Sequence, residues 1–292
     1  MATREASHAG SWYESKGPVL ASQLQGWLDK ASPLITESPV RAIIAPHAGY
    51  SYSGPVAGHA YQYLNSSVID KIFILGPSHH HYTKKCELSK NEIYSTPLGN
   101  LTLDKEIIGE LKSSELFDLM DFDVDESEHS IEMHLPYISH RMGNKKFTII
   151  PILVGSLSQE NERKFGELLS KYFLLKNCFF IISSDFCHWG QRFRFTHYDS
   201  KFGEIHQSIE ALDKEGMKII EEKNSEKFSS YDNKYHNTIC GRHPIGVLLN
   251  IIQSLKEEDK NNLTVKFINY AQSNAVKRKS ESSVSYAAAI VY

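Results

Sequence analysis

The chain has 292 residues, of which 41% are hydrophobic and 23% charged, with a formal net charge of -3; this is the composition of a globular protein with a sizeable core. Acids and bases are interspersed, which excludes a basic footprint for nucleic acid or an anionic membrane, and no apolar run approaches the roughly 18 residues needed to span a bilayer. The opening MATREASHAG lacks the apolar core of a secretory signal, and four cysteines without CxxC spacing read as reduced thiols, so a cytoplasmic protein without membrane insertion is expected.

In chain order, Leu20, Leu24, Trp27 and Leu28 share one helical face, with Pro18 near its first turn. Residues 40–45 and 71–75 follow as short, continuously apolar strands, the pattern of strands buried on both faces. ESEHSIEMHLP predicts a short helix ending before Pro136, with His129 and Glu132 three apart on one face. A strand over 147–154 precedes a helical stripe of Phe165, Leu168, Leu169, Tyr172 and Phe173, and a strand over 178–183 follows it. Ile205, Ile209 and Leu212 begin another helix; Ile245, Leu248, Leu249 and Ile252, after Pro244, mark the next. Strands over 264–270 and 284–291 close the chain, while 256–262 and 273–283 are polar and read as surface loops, as does the basic run Lys277, Arg278 and Lys279 before Glu281. With neither internal repeat nor linker, this alternation predicts one α/β domain over 1–292. A central, mainly parallel or mixed sheet would carry helices on both faces.

Ligands of an open α/β sheet bind outside the carboxyl ends of its strands. Three strands deliver candidates there: His47 in RAIIAPHAGY, His79 in FILGPSHHHY, and Asp185 with His188 in SSDFCHWG. Cys240, in NTICGRHPIG, lies just before a helix, where the N-terminal field is expected to lower a thiol's pKa. Imidazole with thiolate suits Fe, Cu or Zn better than Mg or Ca, and three ligands leave positions open. His129 and Glu132 are candidates for orienting a ligand or shuttling a proton. The absence of HExxH, Walker A, GxGxxG and GxSxG patterns argues against a zincin, a nucleotide-binding protein and an α/β-hydrolase.

The segments REASHAGSWY, RAIIAPHAGY, FILGPSHH, EHSIEMHLPY, SSDFCHWGQRFR, YHNTICGRHPIGVLLN and the closing NYAQS…SSVSYAA resemble the MEMO family of eukaryotic proteins, from Arg4 to nearly the last residue. The resemblance implies the α/β architecture of class III extradiol dioxygenases, which use non-haem iron. It also implies a metal site of His47, His79 and Cys240 for iron or copper, with Asp185 and His188 as catalytic pocket residues. Trp12 would stand at the pocket mouth, and Tyr52 and His129 would line the cleft as ligand-binding residues. Roles in metal handling, redox chemistry and cell-motility signalling, including binding of phosphotyrosine peptides, are implied with it. The cysteine stands where the dioxygenases have a carboxylate; a softer, oxidisable ligand argues against ring cleavage. Three readings follow: a metal-dependent redox protein; an adaptor that pairs phosphotyrosine with Arg192 or Arg194; and a nucleophile at Cys240, or at Cys187 beside His188. Neighbours in an extended chain point to opposite faces, which disfavours the Cys187 pair.

Overall fold

Ala42–Ala45, Lys71–Pro77, Thr148–Val154 and Cys178–Ser183 are strands whose side chains are buried almost without exception. Such runs have no solvent face to offer, so they pair in parallel at the centre of a sheet covered on both sides. In the computed structural model, which describes residues 2–257 and 263–292, they form the middle of a nine-stranded mixed sheet. Its order is His188–Trp189, Ser283–Val291, Ala42–Ala45, Cys178–Ser183, Lys71–Pro77, Thr148–Val154, Cys86–Leu88 and Phe117–Leu119, with Val265–Gln272 also paired to Ser283–Val291. The four central strands are mutually parallel; Ser283–Val291 and Cys86–Leu88 flank them antiparallel.

The period of two along these strands divides the core. Ile43, Ala45, Ile72, Ile74 and Ile181 pack on one face against Leu20, Leu24 and Leu28 of Gly17–Lys30 and Tyr61 of Tyr50–Tyr61. Ala42, Ile44, Phe73, Leu75 and Ile182 pack on the other, against Leu169 of Gln159–Phe173, Leu212 of Ile205–Glu221 and Leu248 of Arg242–Glu257. This is the α/β fold expected, with a mixed sheet between two helical layers. A second sheet of Thr3–Arg4, Ile93–Tyr94 and Leu101–Thr102 ties the N-terminal segment to the body.

Several boundaries differ from the sequence reading. The segment around ESEHSIEMHLP is broken into Phe122–Ser127, a single turn at His129–Glu132, and Leu135–Met142. Pro136 opens the last helix instead of closing the one before it, in the first turn where no amide hydrogen is required. Of the polar stretch 256–262, Lys256 and Glu257 belong to the end of Arg242–Glu257 and residues 258–262 lie outside the described residues. Among the described residues, no helix is long and apolar enough to cross a membrane.

Candidate functional site

His47 lies two residues beyond Ala45, His79 two beyond Pro77 and Asp185 two beyond Ser183, so parallel strands carry all three to one carboxyl edge. Each histidine is fixed by a partner that decides its tautomer. The Ser183 hydroxyl donates to the Ser130 carbonyl at 2.7 Å, so its oxygen accepts from His47 Nδ1 at 2.6 Å and leaves Nε2 bare. Glu128 accepts from both His79 Nδ1, at 2.8 Å, and the His79 amide, at 2.6 Å, which leaves that Nε2 bare as well. Carboxylate–imidazole pairing of this kind orients a metal-ligating histidine and raises its basicity.

Cys240 Sγ stands 3.1 Å from His47 Nε2, and the ligand atoms of His47, His79 and Cys240 all lie within 4.8 Å of one another. Gly241 is what allows this approach: a Cβ there would run into the Ser183 carbonyl and the Ser184 side chain. The expected lowering of the Cys240 pKa is overturned. Burial and the neighbouring Asp185 charge push the thiol well up, outweighing the amide hydrogens of Asp185 and Gly241 that favour the thiolate. A bound cation is what reverses such a shift, because a coordinating thiol is deprotonated outright.

Burial and the surrounding imidazoles, His79 first, hold His47 well below the usual histidine range, so it is neutral and available as a ligand. Burial likewise presses Glu128 upward, but the hydrogen bond and charge of His79 win and bring it down to about 2. Asp185 is raised by burial; its carboxylate accepts the His47 amide at 2.9 Å and its own amide donates to Cys240 Sγ at 3.2 Å. It therefore binds the His47 and Cys240 loops together. His188 donates Nδ1–H to the carbonyls of Phe186 and Thr238, at 2.9 and 3.1 Å, which frees its Nε2.

Above this edge opens a pocket of about 570 Å³ lined by His47, His79, His129, Asp185, His188, Tyr52, Trp12 and Arg192. Trp12, 37% exposed, lies over His129 with ring centroids 4.4 Å apart. His129 in turn stacks on His79 at 4.2 Å. Trp12, His47, Tyr52, His79, His129, Asp185 and His188, all read from the sequence, border this pocket, and Cys240 lies against His47 behind it. Arg194 is not among the lining residues, and Cys187 is buried with its amide on Asp213 while His188 faces the pocket.

Two residues carry roles the sequence did not disclose. The partner of a site histidine is Glu128, not Glu132: Glu132 turns away from the centre to the N-terminal segment. There its carboxylate accepts four hydrogen bonds, from Arg4 Nη1 (2.7 Å), the His8 amide (3.0 Å), His8 Nδ1 (2.8 Å) and Tyr13 OH (2.7 Å), while the Ser7 hydroxyl beside it donates to the Glu126 carbonyl at 2.7 Å. Glu128 had a local signal, since it directly precedes His129 as the N-cap of that turn, with its side chain on the Ser130 amide. Tyr286 also lines the pocket and comes from the closing strand, with no signal beyond the SVSYAA pattern itself.

Fold and pocket together define an α/β protein with a histidine-rich cleft at the carboxyl edge of a mixed sheet. The chain belongs to the Memo family, whose Memo-like protein model matches residues 4–290. It is 55% identical to the human Protein MEMO1 over 287 residues, covering 98% of this chain and 96% of the relative. Protein MEMO1 of Danio rerio is 53% identical over 99% of this chain and 97% of its own length. The Protein memo-1 homolog of Caenorhabditis elegans is 44% identical, over 99% and 83%.

Proposed function

We propose that the chain holds a redox-active transition-metal ion, iron or copper, at His47, His79 and Cys240, and that it serves metal homeostasis or redox chemistry in cell-motility signalling. The observation that carries the reading is the pair of imidazoles whose partners lock both Nε2 atoms bare toward one thiol. The donor set fits: two neutral imidazoles and a thiolate are softer than a carboxylate triad and suit iron or copper. When bound, the ion would supply Lewis-acid and redox chemistry at the pocket. The protein's own groups do the rest. Ser183 and Glu128 orient the ligands, Asp185 ties their loops, and His188 presents an Nε2 that can take up a proton at the pocket wall. Purified anaerobically under reducing conditions, the protein is expected to carry close to one ion per chain, and His47→Ala combined with Cys240→Ser to carry almost none. Unchanged metal content in that double variant would refute the assignment.

A second reading, an adaptor for phosphotyrosine peptides, is favoured by Arg192, which lines the same pocket as Tyr52 and Trp12 and whose planar guanidinium suits a phosphate. Calorimetry with a phosphopeptide and its unphosphorylated twin tests it. Arg192→Ala should remove the preference for the phosphorylated form, and equal affinities for the native chain would end this reading.

A further inference from the structure

Imidazoles run without a break from the exposed His80 and His79, by way of the half-buried His129, to the buried His47 at the edge of the sheet. His80 is exposed, and its ring lies 5.9 Å from that of His129; His8 lies 6.0 Å from His129 on the other flank. His129 stacks on His79 at 4.2 Å and stands 5.4 Å from His47. It takes no part in the His47, His79 and Cys240 group, yet its Nδ1 is buried without a hydrogen-bond partner. A bare, buried ring nitrogen carries a desolvation cost that only a ligand or partner offsets. His129, Glu128 and His79 also make a second set of donors lying within 4.8 Å of one another. Glu128 already accepts from the His79 amide, His79 Nδ1 and the Ser130 amide, but a carboxylate offers about four lone-pair sites, so it retains capacity.

The two donor sets differ in kind. The outer one has imidazole and carboxylate, which hold a transition metal with moderate strength; the inner one adds a thiolate, which holds it more tightly. His79 is common to both, so an ion moving from one set to the other stays within reach of one shared residue. We propose that His129 and Glu128, flanked by His80, form a capture site that takes a divalent first-row transition-metal cation from solvent and passes it by way of His79 to His47 and Cys240. This rests on the metal-binding reading above.

Rapid mixing of the full chain with Co²⁺ separates capture from arrival. Trp12 lies against His129, so its fluorescence reports capture, while thiolate-to-cobalt absorption reports arrival at Cys240. In the native chain quenching is expected to precede absorption. His129→Phe, which keeps an aromatic ring between Trp12 and His79, should slow the absorption rise by about tenfold, equivalent to about 1.4 kcal/mol on the barrier, with the final amplitude unchanged. His80→Ala, an exposed change, should slow it in the same direction by less. Equal rates in His129→Phe and the native chain would overturn the capture site while leaving the inner centre standing. A reduced final amplitude in that variant would overturn it too, by making His129 a ligand of the inner centre. No thiolate absorption in the native chain would instead overturn the metal reading beneath both.

Discussion

Glu132→Gln should lower the unfolding free energy by about 3 kcal/mol, the low end of the range for breaking a buried ion pair from one side. Arg4 and Glu132 are both fully buried and meet at 2.7 Å. The substitution keeps the volume but removes the charge that Arg4 needs, and it turns an amide donor toward donors. The loss stays at the low end because Arg4 retains the carbonyls of Asp125, Glu126 and Glu128, at 2.9, 3.1 and 2.8 Å, with the Asp125 carboxylate 3.4 Å away. Urea denaturation measures the change. Arg4→Met combined with Glu132→Leu should cost less than the sum of the two single variants, since neither residue of the pair is then left as an unpaired charge, although Asp125 loses its guanidinium and Tyr13 and His8 their acceptor; losses that simply add would contradict this account. The consequence reaches the pocket, because the segment pinned by Glu132 includes His8 and Tyr13 and brings Trp12 over His129. Loosening that segment should expose Trp12 and shift its emission to the red.

The parallel strands were legible because burial on both faces leaves nothing but apolar residues in runs such as FILG and FFIIS, and because a ligand site at their carboxyl ends follows from topology. That logic places His47, His79 and Asp185 at one edge of the sheet by position alone, where the strands carry them. It failed where the cause is tertiary. Tyr50–Tyr61 contains Gly54, Pro55 and Gly58 and is not among the helices read from the sequence, yet it is a helix, with Gly54 and Gly58 forming the notch that receives Trp27. Glu128 and Glu132 sit four apart and look interchangeable in sequence; one faces His79 and the other Arg4 because Glu128 is the extended N-cap of the turn and Glu132 its last helical residue. For Cys240, proximity to a helix N-terminus gave the wrong sign of pKa shift, since burial and the Asp185 charge outweigh the amide hydrogen bonds of Asp185 and Gly241.

Stability should fall steeply as the pH drops from 7 to 5. Burial, foremost, pushes His134 and His129 down to about 3 from an ordinary 6.5, so each takes up its proton in the unfolded chain long before it does so in the folded one. A depressed folded pKa means that the stabilising contribution is complete above the unfolded value and is lost as pH falls toward the folded one. Between pH 7 and 5 each histidine therefore removes about 2 kcal/mol. Asp213 runs the other way: burial raises it to about 6 from 3.8, so the folded chain binds its proton first and regains about 1 kcal/mol over the same interval. These three groups together remove about 3 kcal/mol; His47, also held down by burial, adds to the loss, and Asp185, also raised by burial, offsets part of it. Below about pH 4.5 the loss continues, since Glu128 and Glu132 are held down to about 2 in the folded chain by His79 and by His8 with Arg4, against the opposing effect of burial. His134 isolates the effect, because it is fully buried with Nδ1 on the Tyr61 hydroxyl at 2.7 Å and Nε2 without a partner. His134→Gln keeps a hydrogen-bonding group toward Tyr61 and cannot titrate. Its unfolding free energy, measured by urea at both pH values, should drop by about 2 kcal/mol less than that of the native chain; the same drop in both proteins would mean that His134 is not neutral in the fold.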